Sequence, residues 1–243
     1  MTASRTFATA GRVLAQIGHD PRTVALLLVV PSLLIGLVAW LFDSTPVFQQ
    51  IGPAMLALFP FIIMFLVTSV TMVRERTSGT LERLLTTPLR RGELIAGYGL
   101  AFGAAALLQS LVSSAMAIWW LELDVSSPSA VVILAVTDAV LGTALGLMMS
   151  AFAATEFQAV QFMPLVVIPQ LLLCGLLAPR ASMPEVLERV SDVLPLSYAT
   201  DAFSDLGTGA TSTGSLAADL GVLVGCSALA LVGASLTLRR RTS

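Results

Sequence analysis
The sequence predicts an all-α integral membrane protein with six transmembrane helices, and three observations carry that expectation. Of 243 residues, 56% are hydrophobic and 12% charged, whereas soluble domains carry about 25% charged residues. The apolar residues fall into six blocks, each at least as long as the roughly 18–20 residues needed to cross a bilayer. Finally, the 13 basic residues, all arginine, are unevenly placed. With six spans and both ends on the same side, eleven of them lie on that side. Arginine-rich short flanks stay in the cytoplasm, so both termini are expected there.

A 22-residue polar lead, 1–22, opens the chain. Phe7, Leu14 and Ile17 form a rough helical stripe, with Arg5 and Arg12 off it. That pattern predicts a helix lying in the headgroup plane; a frayed polar lead is the other reading. His19, the only histidine, precedes Asp20-Pro21 and reads as a turn residue. The spans follow at 23–42, 51–73, 94–121, 130–153, 159–178 and 216–238. The first is not expected to be a cleaved signal peptide, because Trp40-Leu41-Phe42 offers no small-residue cleavage site. Internal prolines at 31, 53, 60, 164 and 169 are tolerated where neighbours satisfy the freed carbonyls.

The connection 74–93 holds Arg74, Arg76, Arg83, Arg90 and Arg91. Gly79 or Thr80 is suited to cap a short helix, with Glu82 in its first turn, where a carboxylate suits the helix dipole. Leu81, Leu84 and Leu85 share one face, and Pro88 stops the helix. Such a face wants a groove in a partner; the alternative is that the leucines lie back on the bilayer.

The residues Glu75, Ser78-Gly79-Thr80-Leu81-Glu82, Leu85 and Pro88 resemble the loop after the second span of ABC-2-type ABC transporter permeases. That family includes daunorubicin-resistance-type drug efflux permeases and exporters of O-antigen and teichoic acid. The resemblance extends to the whole layout, as one domain over 1–243. It implies that 74–93 holds the coupling helix, with Glu75, Gly79, Thr80, Leu81, Glu82, Leu84, Leu85 and Pro88 docking a separate ABC ATP-binding subunit. It also implies a multi-pass permease of a bacterial plasma membrane, paired with a second permease chain, the same or related. The expected substrate is an amphipathic drug or lipid, and no nucleic-acid partner is expected.

The outer segment 179–215 contains Ser182-x-x-Glu185, a capping-box pattern, then Pro195 and a stretch with Tyr198 and Phe203. Each piece is too short to span. Two short re-entrant helices are expected, since irregular backbone at membrane depth must be covered by protein or line a cavity; a surface loop is the simpler alternative. By resemblance, Tyr198 stands at the pathway exit.

Within the spans, Asp138 is the prominent polar residue, since an intramembrane carboxyl is costly and marks a functional or paired group. Gln109, Gln161 and Gln170 could help to solvate it and are further pathway candidates. A structural hydrogen bond or a displaced span boundary would equally place Asp138 there. The pairs Gly99/Gly103, Gly142/Gly146 and Gly221/Gly225 fit the spacing that lets helices approach closely. Cys174 and Cys226 read as packing residues. The chain has no lysine, which the phosphate-binding P-loop requires, so no ATPase site and no cofactor are expected on it; ATP and Mg²⁺ belong to the partner. The alternative function is a proton-coupled secondary transporter using Asp138.

Overall fold
The structure is a computed structural model describing residues 3–42, 46–79, 91–210 and 212–237. Its helices are α1 (Ala3–His19), α2 (Pro21–Leu41), α3 (Pro46–Thr77), α4 (Arg91–Ala115), α5 (Pro128–Ser150), α6 (Glu156–Leu173), α7 (Glu185–Val193), α8 (Pro195–Thr208) and α9 (Thr213–Thr237). A π-helical turn, Met116–Trp120, continues α4, and a 3₁₀ turn, Arg180–Ser182, precedes α7. No strand occurs among the described residues. Six helices are long and apolar enough to cross a membrane: α2, α3, α4 with its π turn, α5, α6 and α9. The chain is thus an all-α integral membrane protein.

Most span boundaries lie within a few residues of expectation, and the departures have local causes. The fifth span ends at Leu173 rather than near 178, because Cys174 caps it and Gly175 adopts φ +92°. At 32 residues α3 is the longest helix. At 1.5 Å per residue it runs roughly 48 Å, well beyond the ~30 Å hydrocarbon core. The excess is taken up by tilt or by helix beyond the hydrocarbon. α3 is also the central helix, packing against α2, α4, α5, α6 and α8.

Asp20 forms the turn between α1 and α2. Its carboxylate accepts from the Arg22 N–H at 3.1 Å and the Thr23 hydroxyl at 2.8 Å, capping α2. The Thr23 bond holds that carboxyl below its ordinary range. The amphipathic helix α1 is only partly as expected. Thr6, Thr9, Ala10, Val13 and Ile17 are buried, packing mainly on α4, while Phe7 and Leu14 face outward. Ile17 thus leaves the predicted stripe, because α1 has two apolar lines and the protein claims one. Gly97 of α4 permits that packing, since a Cβ there would lie 2.7 Å from Thr9 Cβ.

Of the three glycine pairs, Gly142/Gly146 makes the close helix approach. A Cβ at Gly142 would lie 2.5 Å from the Phe61 carbonyl oxygen, and one at Gly146 2.6 Å from that of Phe65. The obstacle is backbone, so α5 could accept a side chain only by moving off α3. Gly103, Gly221 and Gly225 have open space, and Gly99 meets only the Leu231 side chain.

On the far side, the expected Ser182–Glu185 capping box does not form. Pro184 is the N-cap of α7, and the Ser182 hydroxyl donates instead to the Pro179 carbonyl. The two short helices differ in burial. Leu196, Ala199, Ala202, Phe203 and Leu206 of α8 are buried, chiefly against α3 and α9, whereas Val186, Leu187, Val190 and Val193 of α7 are exposed. Arg180 ties them together. It pairs with Asp201 of α8 at 2.5 Å and with Asp192 of α7, and stacks over the Tyr198 ring at 5.8 Å. Burial works against the Arg180 charge, but Asp201 and Asp192 outweigh it and its pKa is raised. Asp201 is raised mainly by its own burial, with Arg180 opposing.

The glycine seam is testable. Gly142→Val and Gly146→Val are expected each to cost about 1–3 kcal/mol, the range for overpacking a close-fitted site, while Gly221→Val stays near wild type. Thermal unfolding in detergent measures the difference.

Candidate functional site at the end of α3
A buried polar cluster lies where α3 ends, just before 80–90. Glu75, on the last turn of α3, is 6% exposed. A carboxylate so buried is costly unless paired and hydrogen-bonded. Three donors satisfy it, from two other helices. Arg12 of α1 approaches Oε1 at 3.2 Å, Gln16 of α1 donates to Oε1 at 2.9 Å, and the Tyr98 hydroxyl of α4 donates to Oε2 at 2.9 Å. The Arg12 Nη2 also donates to the Tyr98 oxygen at 2.8 Å, and its guanidinium lies over the Tyr98 ring, 5.8 Å from the centroid. Burial lowers the Arg12 pKa, but Tyr98 and Glu75 outweigh it and the net shift is upward. One carboxylate thus joins α1, α3 and α4.

A second brace holds the same end of α3. Arg74 forms a two-pronged pair with Glu156 at the start of α6, with Nε–Oε1 at 3.0 Å and Nη2–Oε2 at 3.1 Å. Arg76 donates to the carbonyls of Ala151 and Ala153 in the α5–α6 turn. Cations in the last helical turn also suit the dipole. Gly79 then takes φ +74°, a left-handed conformation that side-chain-bearing residues adopt at a cost of roughly 1–2 kcal/mol. It lies in the turn that follows the end of α3 at Thr77.

The expected docking residues therefore divide. Glu75 faces inward and Gly79 turns the chain. Thr80, Leu81, Glu82, Leu84, Leu85 and Pro88 lie outside the described residues, so the expected coupling helix does too. Sequence reasoning missed Arg12, Gln16 and Tyr98. The available signals were the i, i+4 spacing of Arg12 and Gln16, and the presence of one of only two tyrosines near the start of an apolar span.

The pathway candidates do not form one cluster. Asp138 is fully buried, and neither carboxyl oxygen has a hydrogen-bond partner among the described residues. It lies one turn before Gly142, on the helix that meets α3. Gln109 is also buried; its Nε2 donates to the Pro60 carbonyl at 3.4 Å, and its Oε1 is unpartnered among the described residues. Its neighbour Ser110 donates to Ala135 on α5, which places Gln109 and Asp138 within about one turn of a common level. Gln170 is elsewhere: its Oε1 accepts from the Leu196 N–H at 3.4 Å, satisfying an otherwise orphaned donor at the start of α8. The Tyr198 hydroxyl donates to the Asp192 carbonyl at 2.7 Å. Gln161 is exposed on α6. Cys174 is buried and Cys226 half-buried, and both are free.

A helical bundle with six helices able to cross a membrane, an amphipathic first helix and a braced end to its second span defines a multi-pass membrane protein. Residues 6–206 match the ABC-2 type transporter family, and the chain belongs to it. Relatives include "ABC transporter G family member 20" of Dictyostelium discoideum, 31% identical over 157 residues, covering 64% of this chain and 22% of that protein. "Probable multidrug ABC transporter permease YbhR" of Escherichia coli K12 is 28% identical over 152 residues, 61% of this chain and 41% of that protein. "Linearmycin resistance permease protein LnrN" of Bacillus subtilis is 24% identical over 169 residues, 70% of this chain and 44% of that protein. The chain thus matches less than half the length of each.

Replacing Glu75 by Ala is expected to leave Arg12 and Tyr98 without their shared acceptor and to free α1. Amide exchange across α1 should speed by about tenfold or more, since losing a charged hydrogen-bond partner costs about 1.5–3 kcal/mol. Tyr98→Phe, which deletes one hydroxyl, should give a smaller change at the same amides.

Proposed function
We propose that this chain is the permease subunit of an ATP-driven exporter, powered by a separate ATP-binding subunit that docks on 80–90. The arginine-rich face is then the cytoplasmic face of a bacterial plasma membrane, with both termini on it, and ATP and Mg²⁺ stay in the partner. The supporting observation is the doubly braced end of α3. Glu75 binds it to α1 and α4, and Arg74 and Arg76 bind it to the α5–α6 turn and α6. A segment that receives force from a partner needs such an anchorage, or the motion is lost in the loop. Leu81, Leu84 and Leu85 form the docking face, Thr80 and Glu82 its first turn, and Pro88 its end; Glu75 and Gly79 position it from inside.

Two permease chains pair across the transport route. The exposed face of α6 suits that contact, because an unpaired Gln161 amide facing lipid is unfavourable. The substrate is an amphipathic drug or a lipid-like molecule, supported by the names of the E. coli and B. subtilis relatives and by the apolar character of the spans. Gln109 and Asp138 border the route near its middle, with Gln170 and Tyr198 towards the exit.

A second reading, proton-coupled transport, has one observation in its favour, the buried and unpartnered Asp138 carboxyl. The two readings separate by mutation. With Leu85→Asp, the ATP-binding subunit should no longer co-purify with the tagged permease in detergent, while the permease itself stays monodisperse. With Asp138→Asn, ATP-dependent efflux should persist. Efflux that survives Leu85→Asp, needs no ATP and disappears in Asp138→Asn would overturn the ATP-driven reading in favour of the proton-coupled one.

A further inference from the structure
Between α2 and α4 the bundle surface carries a lateral groove of 810 Å³, walled by Leu28, Ser32 and Leu33 on one side and Val112, Met116 and Trp119 on the other. None of the candidate pathway residues lines it. Three properties describe what fits there.

Depth comes first. Tyr98 belongs to the Glu75 cluster at the arginine-rich face. Val112 lies 14 residues further along α4 and Trp119 lies 21, so they rise about 21 Å and 32 Å above Tyr98. On the other wall, Leu28 lies about two turns below Gly36, which meets Met116, so against a hydrocarbon core of about 30 Å the groove runs from about the bilayer middle to the opposite interface.

Its chemistry narrows the ligand. Ser32 carries the only hydroxyl in the lining, and that hydroxyl already donates to the Leu28 carbonyl at 3.0 Å. The walls below the rim therefore offer no free polar group, which suits a hydrocarbon chain and not a ligand with polar functions along its length. The rim is different. Trp119 and Trp120 are each 80% exposed, and their indole N–H groups stand at the level where tryptophan meets lipid headgroups. The π-helical turn Met116–Trp120 that carries them is a rare geometry, common at functional sites.

We propose that this groove binds one acyl chain of a phospholipid from the leaflet opposite the arginine-rich face, with the headgroup at the Trp119–Trp120 rim. The site is independent of substrate transport and of the ATP-binding partner. A concave, non-polar slot that opens sideways at this depth takes a chain from the adjacent leaflet, and the rim supplies the donors that a headgroup accepts.

The test uses the purified full chain in detergent with Trp40→Phe, which leaves Trp119 and Trp120 as its only tryptophans. The probe is phosphatidylcholine brominated in mid-chain, a quencher of tryptophan emission. Quenching is expected to saturate at one lipid per chain. Ala115→Phe and Leu33→Phe, which fill the groove from opposite walls, should each weaken it by roughly tenfold, the loss from displacing about two chain methylenes. Leu236→Phe, on an exposed part of α9, should change nothing. Both filling variants must keep the wild-type unfolding transition; if one loses it, the other decides. Quenching that rises with lipid content without saturating, or that is the same in wild type and a folded filling variant, overturns the proposal. So does efficient disulfide formation between Val29→Cys chains in delipidated detergent, since a second copy would then occupy the groove.

Discussion

The organisation of the arginine-rich end depends on one buried carboxylate. Left alone, Glu75 would be a costly group at the end of the longest helix. Its ion pair with Arg12 and the donors from Gln16 and Tyr98 turn that cost into a constraint, because the charge is tolerated only while α1 and α4 stay in place. Burying a charged pair is weak evidence for net stability, and its value here lies in specificity. Both Glu75 oxygens have partners only while the three helices keep this arrangement, and displacing α1 or α4 removes some of them. The end of α3 is thereby fixed to the amphipathic helix on one side and, through Arg74 and Arg76, to the α5–α6 turn on the other.

The middle of the bundle is held differently. There the α3–α5 contact is backbone against backbone, with Gly142 and Gly146 leaving room for the Phe61 and Phe65 carbonyls. So close a seam leaves little slack between α3 and α5. Beside it, Thr68, Ser113, Ser114, Gln109 and Asp138 have buried polar atoms without partners among the described residues. Polar groups left unsatisfied in a close-packed interior favour rearrangements that hydrate or pair them. A transport route that opens along this seam would do so.

Six spans were legible because hydrophobic blocks and arginine placement are each strong signals and agree with each other. The turn at Asp20-Pro21, the short helices before the last span and the close approach at Gly142/Gly146 could also be read. Other features depended on distant contacts. Nothing local marks Ile17 as facing the protein and Phe7 as facing away, since both sit on apolar lines of α1. The Ser182–Glu185 box failed because Pro184 starts the helix two residues later than a box needs. Glu75 was legible as part of a motif, but its inward direction was not, because its partners lie 63 and 23 residues away. Gln170 was legible as a polar residue inside a span, but its bond to the start of α8 was not, because Leu196 lies 26 residues away.

The central claim is that Arg12 and Glu75 act as one unit in linking the end of α3, next to the proposed docking segment, to α1 and α4. A double-mutant cycle on ATP turnover by the assembled transporter tests it most directly, using Arg12→Gln, Glu75→Gln and the pair together. If the residues act as a unit, the double variant is no more impaired than the worse single variant, with a coupling of about 0.5–3 kcal/mol. Losses that simply add across the two positions would contradict it.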